Sequence, residues 1–389
     1  MRPIIVSLFG LFLIRPSAIG AIDSAGDWDK SIYLGVKAHA EGRLDAAEDQ
    51  FREALAIASR TANFGHLART WNNLGAVAHA RGLYQEAEQN YHRAAEYWDR
   101  QPEKKGVEYV RLKNNLAVVY RALGKLAKAE QQAREAVRMA ESEASPDTGV
   151  YWRNLAEILR NQGRHEEALD AAKKALDALE ALAERPMLRI AEVLQSLAAI
   201  ESNRGNASEA ERLELQALSI YEEALGAEHP RTAGAAGNLG HYLMAQSRWT
   251  EAKPLLDRAL RTWESALGPQ HPSIAAALNN LGQWHRAQHD FQAAEPLYRR
   301  ALAIWERTLG NTHPDYAKGL LNLAELFAMQ DKYRGAELLL KQALAISRNA
   351  LGDRHSQTQR VRQCLVSLYA AQGRTSDEEK MSAALLPAR

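Results

Sequence analysis

The sequence predicts an all-α solenoid built from about eight helix–turn–helix repeats and closed by a C-terminal partial repeat. A Leu-Gly or Leu-Ala pair marks the first helix of each copy, at Leu34, Leu74, Leu116, Leu155, Leu197, Leu239, Leu281 and Leu323. From Leu155 onwards the markers recur every 42 residues, and another follows at Leu365. Such a period is typical of units that bury their apolar faces by stacking on their neighbours. No stretch alternates apolar and polar residues for long enough to predict a strand.

Within each repeat, apolar residues follow a helical period. The predicted repeats span about 28–60, 66–100, 106–142, 147–184, 188–226, 231–268, 273–310 and 315–352, with the partial repeat at 355–386. In the seventh repeat, Ile274, Leu278 and Leu281 share one face of the first helix. Small residues such as Ala294 alternate with large ones such as Tyr298 in the second helix. This alternation allows helices to pack closely.

Glycine and proline mark the helix ends. The turn inside each of the first five repeats carries a glycine, at Gly42, Gly82, Gly124, Gly163 and Gly205. Ser247, His289 and Asp331 replace it in the next three, so we expect those turns to form at extra cost. Later repeats end at Gly226, Gly268, Gly310 and Gly352, and Pro230, Pro272 and Pro314 follow four residues after the first three of these. Proline there suits the first turn of the next helix.

This arrangement resembles the tetratricopeptide repeat family, in particular its kinesin-light-chain-like subtype with 42 residues per repeat. The resemblance rests on the run ALRTWESALGPQHPSIAAALNNLG at 259–282 and its successor ALAIWERTLGNTHPDYAKGLLNLA at 301–324. It covers roughly residues 28–386 and implies a right-handed superhelix with a concave groove lined by the first helices. It implies little about any one function, because the same scaffold serves many partners.

The N-terminal segment predicts export. Arg2 precedes an apolar run from Pro3 to Ile14, and small residues follow up to Ala21. This order is typical of a secretory signal peptide over residues 1–21, and the apolar run is too short to span a bilayer. We therefore expect an exported protein, periplasmic or secreted, without stable membrane insertion after cleavage. The alternatives are an uncleaved N-terminal anchor and a cytoplasmic protein whose first residues are not a working signal.

Composition and motifs argue against several kinds of chemistry. The net charge of +1 gives no global basic character that would attract nucleic acid. Cys364 is the single cysteine, so an intrachain disulfide is excluded. The glycines between Gly234 and Gly240 lack the Lys-Ser/Thr of a phosphate loop. No catalytic constellation is recognisable, so we expect no enzyme activity and no cofactor.

Histidines recur in four inter-repeat loops, at His229, His271, His313 and His355. Each belongs to a different repeat, and no loop supplies neighbouring ligands, so a zinc site is not expected. We expect these side chains to cap helices or to pack the loops.

A recurrent asparagine precedes the marker leucine in six repeats, at Asn73, Asn115, Asn154, Asn238, Asn280 and Asn322, with Ser196 in the fifth. Asparagine is a poor helix former, so its recurrence requires a reason. The tetratricopeptide resemblance implies that these carboxamides face the groove and bind a ligand's backbone or terminal carboxylate. The alternative is that each bonds to a neighbouring helix and holds the repeat register. Both remain open at this point.

Basic residues accompany the asparagines in repeats three and four. Lys113, Arg121, Arg153 and Arg160 lie one or two turns from them on the first helices. Arginine can hold a carboxylate with two hydrogen bonds. A purely solubilising role for these residues is the alternative.

These observations predict a non-enzymatic scaffold that binds a protein or peptide partner, with an extended, acidic segment of the partner in the concave groove. The first alternative is a cytoplasmic regulatory or assembly scaffold of the same fold. The second is an exported hydrolase on a helical body, which would require a catalytic set that the sequence does not show.

Overall fold

The computed structural model describes residues 26–100, 106–383 and 385. The predicted signal segment, residues 1–21, lies outside this part. Eighteen α-helices and no strand form the described chain. The prediction of an all-α fold is confirmed.

The helices alternate between first and second members of a pair. The first helices are α1 (Asp27–Ala40), α3 (Phe64–Ala80), α5 (Val107–Ala122), α7 (Thr148–Asn161), α9 (Met187–Asn203), α11 (Pro230–Ala245), α13 (Pro272–Ala287), α15 (Pro314–Ala328) and α17 (Ser356–Ala371). The second helices are α2 (Leu44–Arg60), α4 (Tyr84–Asp99), α6 (Leu126–Ser142), α8 (His165–Glu180), α10 (Ala207–Leu225), α12 (Trp249–Leu267), α14 (Phe291–Leu309), α16 (Tyr333–Leu351) and α18 (Thr375–Ala383).

The contacts divide the chain into two compact units. Unit 1 comprises Met1–Ile158 and Asp170–Pro186, and unit 2 comprises Leu159–Leu169 and Met187–Arg389. Unit 1 therefore holds α1 to α6, and unit 2 holds α9 to α18. Inside each unit a second helix packs both on its own first helix and on the first helix of the next pair, as α10 does on α9 and α11.

Close packing inside a pair of helices depends on a glycine in the first helix that faces a large side chain of the second. A Cβ added to Gly75 would lie 2.6 Å from the Tyr91 ring, and one added to Gly282 would lie 2.7 Å from the Tyr298 ring. Both tyrosines are fully buried. The glycine of the Leu-Gly marker therefore makes room for a large buried ring in these two pairs.

The turns follow the sequence prediction. Ser247, His289 and Asp331 adopt positive φ angles of 60°, 58° and 59°, in the left-handed region where the earlier repeats place glycine. L-residues are strained there, so the expected extra cost is present in the backbone geometry. Pro230, Pro272 and Pro314 occupy the first turns of α11, α13 and α15, as predicted.

Among the helices of the described part, none is long and apolar enough to cross a membrane.

Candidate functional site

The predicted asparagines differ in their access to solvent. Four of them are buried: Asn73, Asn115, Asn154 and Asn322. Asn280 is half-buried and Asn238 is exposed. Only these last two, in adjacent repeats of unit 2, are open to a ligand without rearrangement of the first helices.

Most of the buried asparagines connect one repeat to the preceding one. In each case an Nδ2 group donates to the Oδ1 atom of an asparagine on the preceding first helix. The bonds join Asn115 to Asn72 at 2.9 Å, Asn154 to Asn114 at 2.6 Å and Asn322 to Asn279 at 2.7 Å. We call this series the asparagine ladder. These are the bonds that the register interpretation requires.

The asparagine ladder is interrupted where the acceptor is missing. In the intact rungs the acceptor lies 40 or 43 residues before the donor. Gly237 occupies the corresponding position for Asn280 and has no side chain. Accordingly, the Asn280 carboxamide makes no hydrogen bond with the part of the chain that the structure describes. Its donor and acceptor atoms therefore remain available to a ligand.

Asn238 donates to a carboxyl group instead of to an amide on the preceding first helix. The position 43 residues earlier is Gln195, but its Oε1 accepts from the Tyr221 hydroxyl at 3.0 Å and its Nε2 donates to Glu214 Oε1 at 2.7 Å. Asn238 Nδ2 donates to the same Glu214 oxygen at 3.3 Å. The Oδ1 atom of Asn238 has no partner among the described residues.

Glu214 is fully buried without a cation. Its Oε2 atom has no hydrogen-bond partner in the described structure. Burial raises the pKa of this carboxyl to about 7, although the Gln195 and Asn238 amides oppose the rise. A carboxyl in such a site is a candidate for a functional group.

Of the basic residues predicted in unit 1, Lys113 has both a carboxylate and an aromatic neighbour. Lys113 forms an ion pair with Glu135 at 3.2 Å and lies over the Tyr109 ring. Arg121 and Arg153 are half-buried on α5 and α7. The Lys113 charge is therefore partly compensated within the protein, which weakens its attraction for an external anion.

Arg160, in contrast, lies in unit 2, where its segment meets the start of α17. His355 Nε2 donates to the Asn161 carbonyl oxygen at 3.0 Å, across 194 residues of sequence. A Cβ added to Gly163 would lie 3.7 Å from the same imidazole. This contact brings the end of α7 to the later repeats of unit 2.

A cationic cluster results from this contact. The Lys318 residue on α15 keeps access to solvent. The surrounding protein nevertheless removes part of the hydration of its ammonium group, and this desolvation lowers the pKa of Lys318. The Asp315 charge opposes the change, and the charges of Arg160 and Arg360 add to it. Burial lowers the pKa of His241 to about 4, with a further contribution from Lys318. The positive charges of Arg160 and Arg360 thus act on Lys318, although Arg360 also forms an ion pair with Glu325.

Glu325 is the carboxylate next to this cluster. It accepts from Arg286 at 3.0 Å and from Arg360 at 3.0 Å. Cys364 Sγ lies 3.6 Å from its Oε1 atom. Burial raises the pKa of the Cys364 thiol to about 11, with the Glu325 charge contributing, so the thiolate required for nucleophilic chemistry is scarce at neutral pH.

The four loop histidines are helix caps. In each case the imidazole Nδ1 accepts from the backbone N–H two residues later, at 3.0–3.2 Å for His229, His271, His313 and His355. These bonds satisfy N–H groups that a helix start leaves without partners. Within the described residues, no group of three or more histidine, cysteine or carboxylate side chains is arranged to hold a metal ion.

Comparison with protein families identifies the repeats. A family model described as "Tetratricopeptide repeat" matches residues 66–142, 147–223, 231–306 and 285–349, which together make up more than half of the chain. The chain belongs to the tetratricopeptide repeat family. Stacked repeats of this family present extended binding surfaces.

Solved tetratricopeptide-like structures share the fold. A Rap protein complexed with Competence and Sporulation Factor has a TM-score of 0.66 at 15% identity, covering 84% of this chain and 88% of that one. The apo form of the quorum sensor NprR from B. thuringiensis has a TM-score of 0.58 at 13% identity, covering 83% and 89%. At these identities the likeness concerns the fold alone.

The kinesin-light-chain-like subtype stays a prediction. A putative kinesin light chain from Podosopora anserina with nearly identical TPR-like repeats is 25% identical and covers 52% of this chain and 96% of that one, at a TM-score of 0.40. Among curated proteins, the human Protein O-mannosyl-transferase TMTC1 is 32% identical over 147 residues. This stretch is 37% of the present chain but only 14% of that protein.

Two residues of the candidate site in unit 2 were not predicted from the sequence. Glu214 is one, although its position carried a signal, because the residues 42 positions before and after it are Ala172 and Leu256. Arg360 is the other, and it joins the cationic cluster only through the fold of unit 2.

Proposed function

We propose that this chain is a non-enzymatic scaffold that binds a protein partner through an extended, acidic peptide segment. The site is the surface of unit 2 formed by the accessible side chains of α9, α11, α13, α15 and α17, together with Arg160 at the end of α7, and we call it the first-helix face. One observation carries the proposal: Asn238 and Asn280, in adjacent repeats, keep unused hydrogen-bonding atoms on the same face as the cationic cluster.

The chemistry of this face suits an extended peptide. A peptide without secondary structure has unpaired backbone N–H and C=O groups, and a carboxamide can pair with either. Lys318, Arg160 and Arg360 supply positive charge for acidic side chains or a terminal carboxylate. The buried ladder asparagines hold the repeats in register, while Asn238 and Asn280 interact with the partner.

The repeat architecture also supports the non-enzymatic part of the proposal, since tetratricopeptide domains act by presenting surfaces. The transferase named among the relatives matches over too small a part of its length to bring its activity here. Export is proposed from residues 1–21. Without a working signal, the same scaffold would act in the cytoplasm on an assembly or regulatory partner.

The proposal is tested by selecting peptides from a random display library on the whole chain. Enriched peptides should be rich in Asp and Glu, and they should bind more weakly to Asn280→Ala and Lys318→Glu than to the wild type. Gln292→Ala, an exposed change on a second helix, is the control. Peptides without acidic enrichment, or equal affinity for all variants, would contradict the proposal.

A further inference from the structure

Glu214 stands where every other repeat places an apolar or aromatic core residue. The equivalent positions, spaced by the repeat length, are Phe51, Tyr91, Ala133, Ala172, Leu256, Tyr298 and Leu340. All of these side chains are at most 2% exposed, and so is Glu214. An acid in this column of the core is costly to bury and contributes no packing that leucine would not supply.

The surroundings of Glu214 show what the acid contacts. Its bonds in the described structure are those from the Gln195 and Asn238 amides, both to Oε1. Among the described residues no cation contacts Glu214, so it forms no ion pair with that part of the chain. Of its two partners, Gln195 is half-buried and Asn238 is exposed on the first-helix face.

Glu214 thereby replaces a missing rung of the asparagine ladder. Gln195 stands in the acceptor position for Asn238, but its carbonyl oxygen is occupied by the Tyr221 hydroxyl. Asn238 therefore donates to Glu214 instead. When one N–H of a carboxamide is hydrogen-bonded, the orientation of the group is fixed, and its carbonyl oxygen points away from the acceptor.

We propose that Glu214 is a positioning residue that fixes the orientation of the Asn238 carboxamide and so directs its carbonyl oxygen toward a ligand. At that oxygen the subsite accepts an N–H donor, such as a peptide backbone amide or an ammonium group, and repels a carboxylate. The carboxylates of the partner bind instead at the Lys318 cluster. The part of this inference that concerns the ligand rests on the proposed function, and the part that concerns orientation does not.

The two accessible asparagines are consequently different subsites. Asn280 lacks any partner in the described chain, so its amide can rotate to offer either atom. While Glu214 accepts one N–H of Asn238, that carboxamide is held in one orientation, with its oxygen and its second N–H in fixed directions. A peptide that binds both asparagines would have to place an N–H group at the Asn238 oxygen. At Asn280 it could place either an N–H or a C=O group.

The orientation is tested without a ligand by NMR of the Asn238 side-chain NH₂ group in the whole chain, identified by its disappearance in Asn238→Asp. In the wild type these protons should exchange slowly, and their shifts should titrate with a midpoint near pH 7, following Glu214. Glu214→Gln should keep the slow exchange and lose the titration, because its amide oxygen still accepts. Glu214→Leu should lose both. Unchanged exchange in Glu214→Leu would overturn the inference.

The donor preference is tested with the library-selected peptides, synthesised with each backbone N–H methylated in turn. One methylation should weaken binding to the wild type and to Glu214→Gln by about tenfold, as expected for one lost hydrogen bond, and should cost little with Glu214→Leu. A merely structural Glu214 would give the same methylation profile in all three proteins, which would overturn the donor preference.

Two further results keep the tests separate. Should Glu214→Leu not fold, Asn238→Leu replaces it in the methylation test, because that variant removes the offered oxygen while Glu214 remains, and the loss of titration in Glu214→Gln then decides the orientation. Should no peptide bind the wild type, the proposed function and the donor preference fail together, and the NMR exchange still decides whether Glu214 positions Asn238.

Discussion

Asn322 Nδ2 donates a hydrogen bond to Asn279 Oδ1 at 2.7 Å, and both carboxamides are buried between consecutive first helices. This bond joins α15 to α13 and makes the recurrent asparagine a connector between repeats. The same relationship in the other intact rungs gives the asparagine ladder a structural role that does not depend on any ligand.

The first prediction concerns that bond. Asn322→Ala removes the donor and leaves Asn279 Oδ1 buried without a partner, so it should destabilise the chain by about 1–3 kcal/mol. Asn280→Ala removes a carboxamide without a protein partner in the described structure, and it should change stability little. Thermal or urea unfolding of the two variants checks this. Equal losses would contradict the division of the asparagines into register and ligand groups.

The second prediction is a pH dependence of stability. The pKa of Glu214 is raised from 4.5 to about 7 in the folded chain, so between these values the folded state binds more protons than the unfolded state. The free energy of unfolding should therefore fall as pH rises from about 4.5 through 7, and the penalty is complete above that range. The difference between the two pKa values corresponds to about 3 kcal/mol.

Urea unfolding from pH 4.5 to 8.5 measures this penalty. Glu214→Gln cannot ionise, so its stability relative to the wild type should rise with pH over that range. Glu223→Gln, an exposed change on the same helix, is the control and should leave the slope unaltered. Parallel profiles for the wild type and Glu214→Gln would show that Glu214 does not titrate in this way.

The third prediction concerns the turns without glycine. Ser247 has φ 60° and Gly205, at the equivalent turn of the preceding repeat, has φ 87°. Ser247→Gly should stabilise the chain by about 1 kcal/mol by relieving left-handed strain, and Gly205→Ser should destabilise it by a similar amount. A Cβ at Gly205 would meet nothing within 4 Å, so the second change reports backbone strain alone. Unfolding measurements in which Ser247→Gly destabilises the chain, or Gly205→Ser stabilises it, would contradict this prediction.

The fourth prediction concerns the N-terminal segment. If residues 1–21 act as a signal, the mature protein recovered from an exporting cell should begin at Ala21 or Ile22. N-terminal sequencing checks this, with a variant carrying Arg in place of Leu11 in the apolar run as the uncleaved control. Soluble cytoplasmic protein that still begins at Met1 would favour the cytoplasmic alternative.

The fold was accessible from the sequence because each local signal agreed with the repeat. The Leu-Gly pairs marked the repeats, and in the structure the glycines of two of these pairs pack against Tyr91 and Tyr298. The proline positions predicted helix starts. The replacement of the turn glycine by Ser247 predicted a strained turn, and its positive φ agrees with that. These features depend on residues within one repeat or its neighbour, where sequence periodicity is informative.

The candidate site was accessible only in part, because it depends on exceptions to the repeat. Gly237 removes the acceptor for Asn280, and Glu214 diverts Asn238; both could have been found by comparing equivalent positions across repeats. The contact between His355 and Asn161 could not, since it joins segments 194 residues apart. The interaction of Arg160 with Lys318 likewise joins segments that lie far apart in the sequence.

The central claim is that a partner's acidic peptide binds the first-helix face of unit 2, and the most direct measurement is the affinity of the most enriched library peptide at several salt concentrations. Lys318→Glu should weaken binding and flatten its salt dependence, since fewer opposite charges remain to be screened. Asn280→Ala should weaken it by about 1–3 kcal/mol if the ligand group stays buried. Arg299→Glu, on the exposed side of α14, should change little. Affinity that survives both Lys318→Glu and Asn280→Ala in folded protein would contradict the claim and place the partner elsewhere.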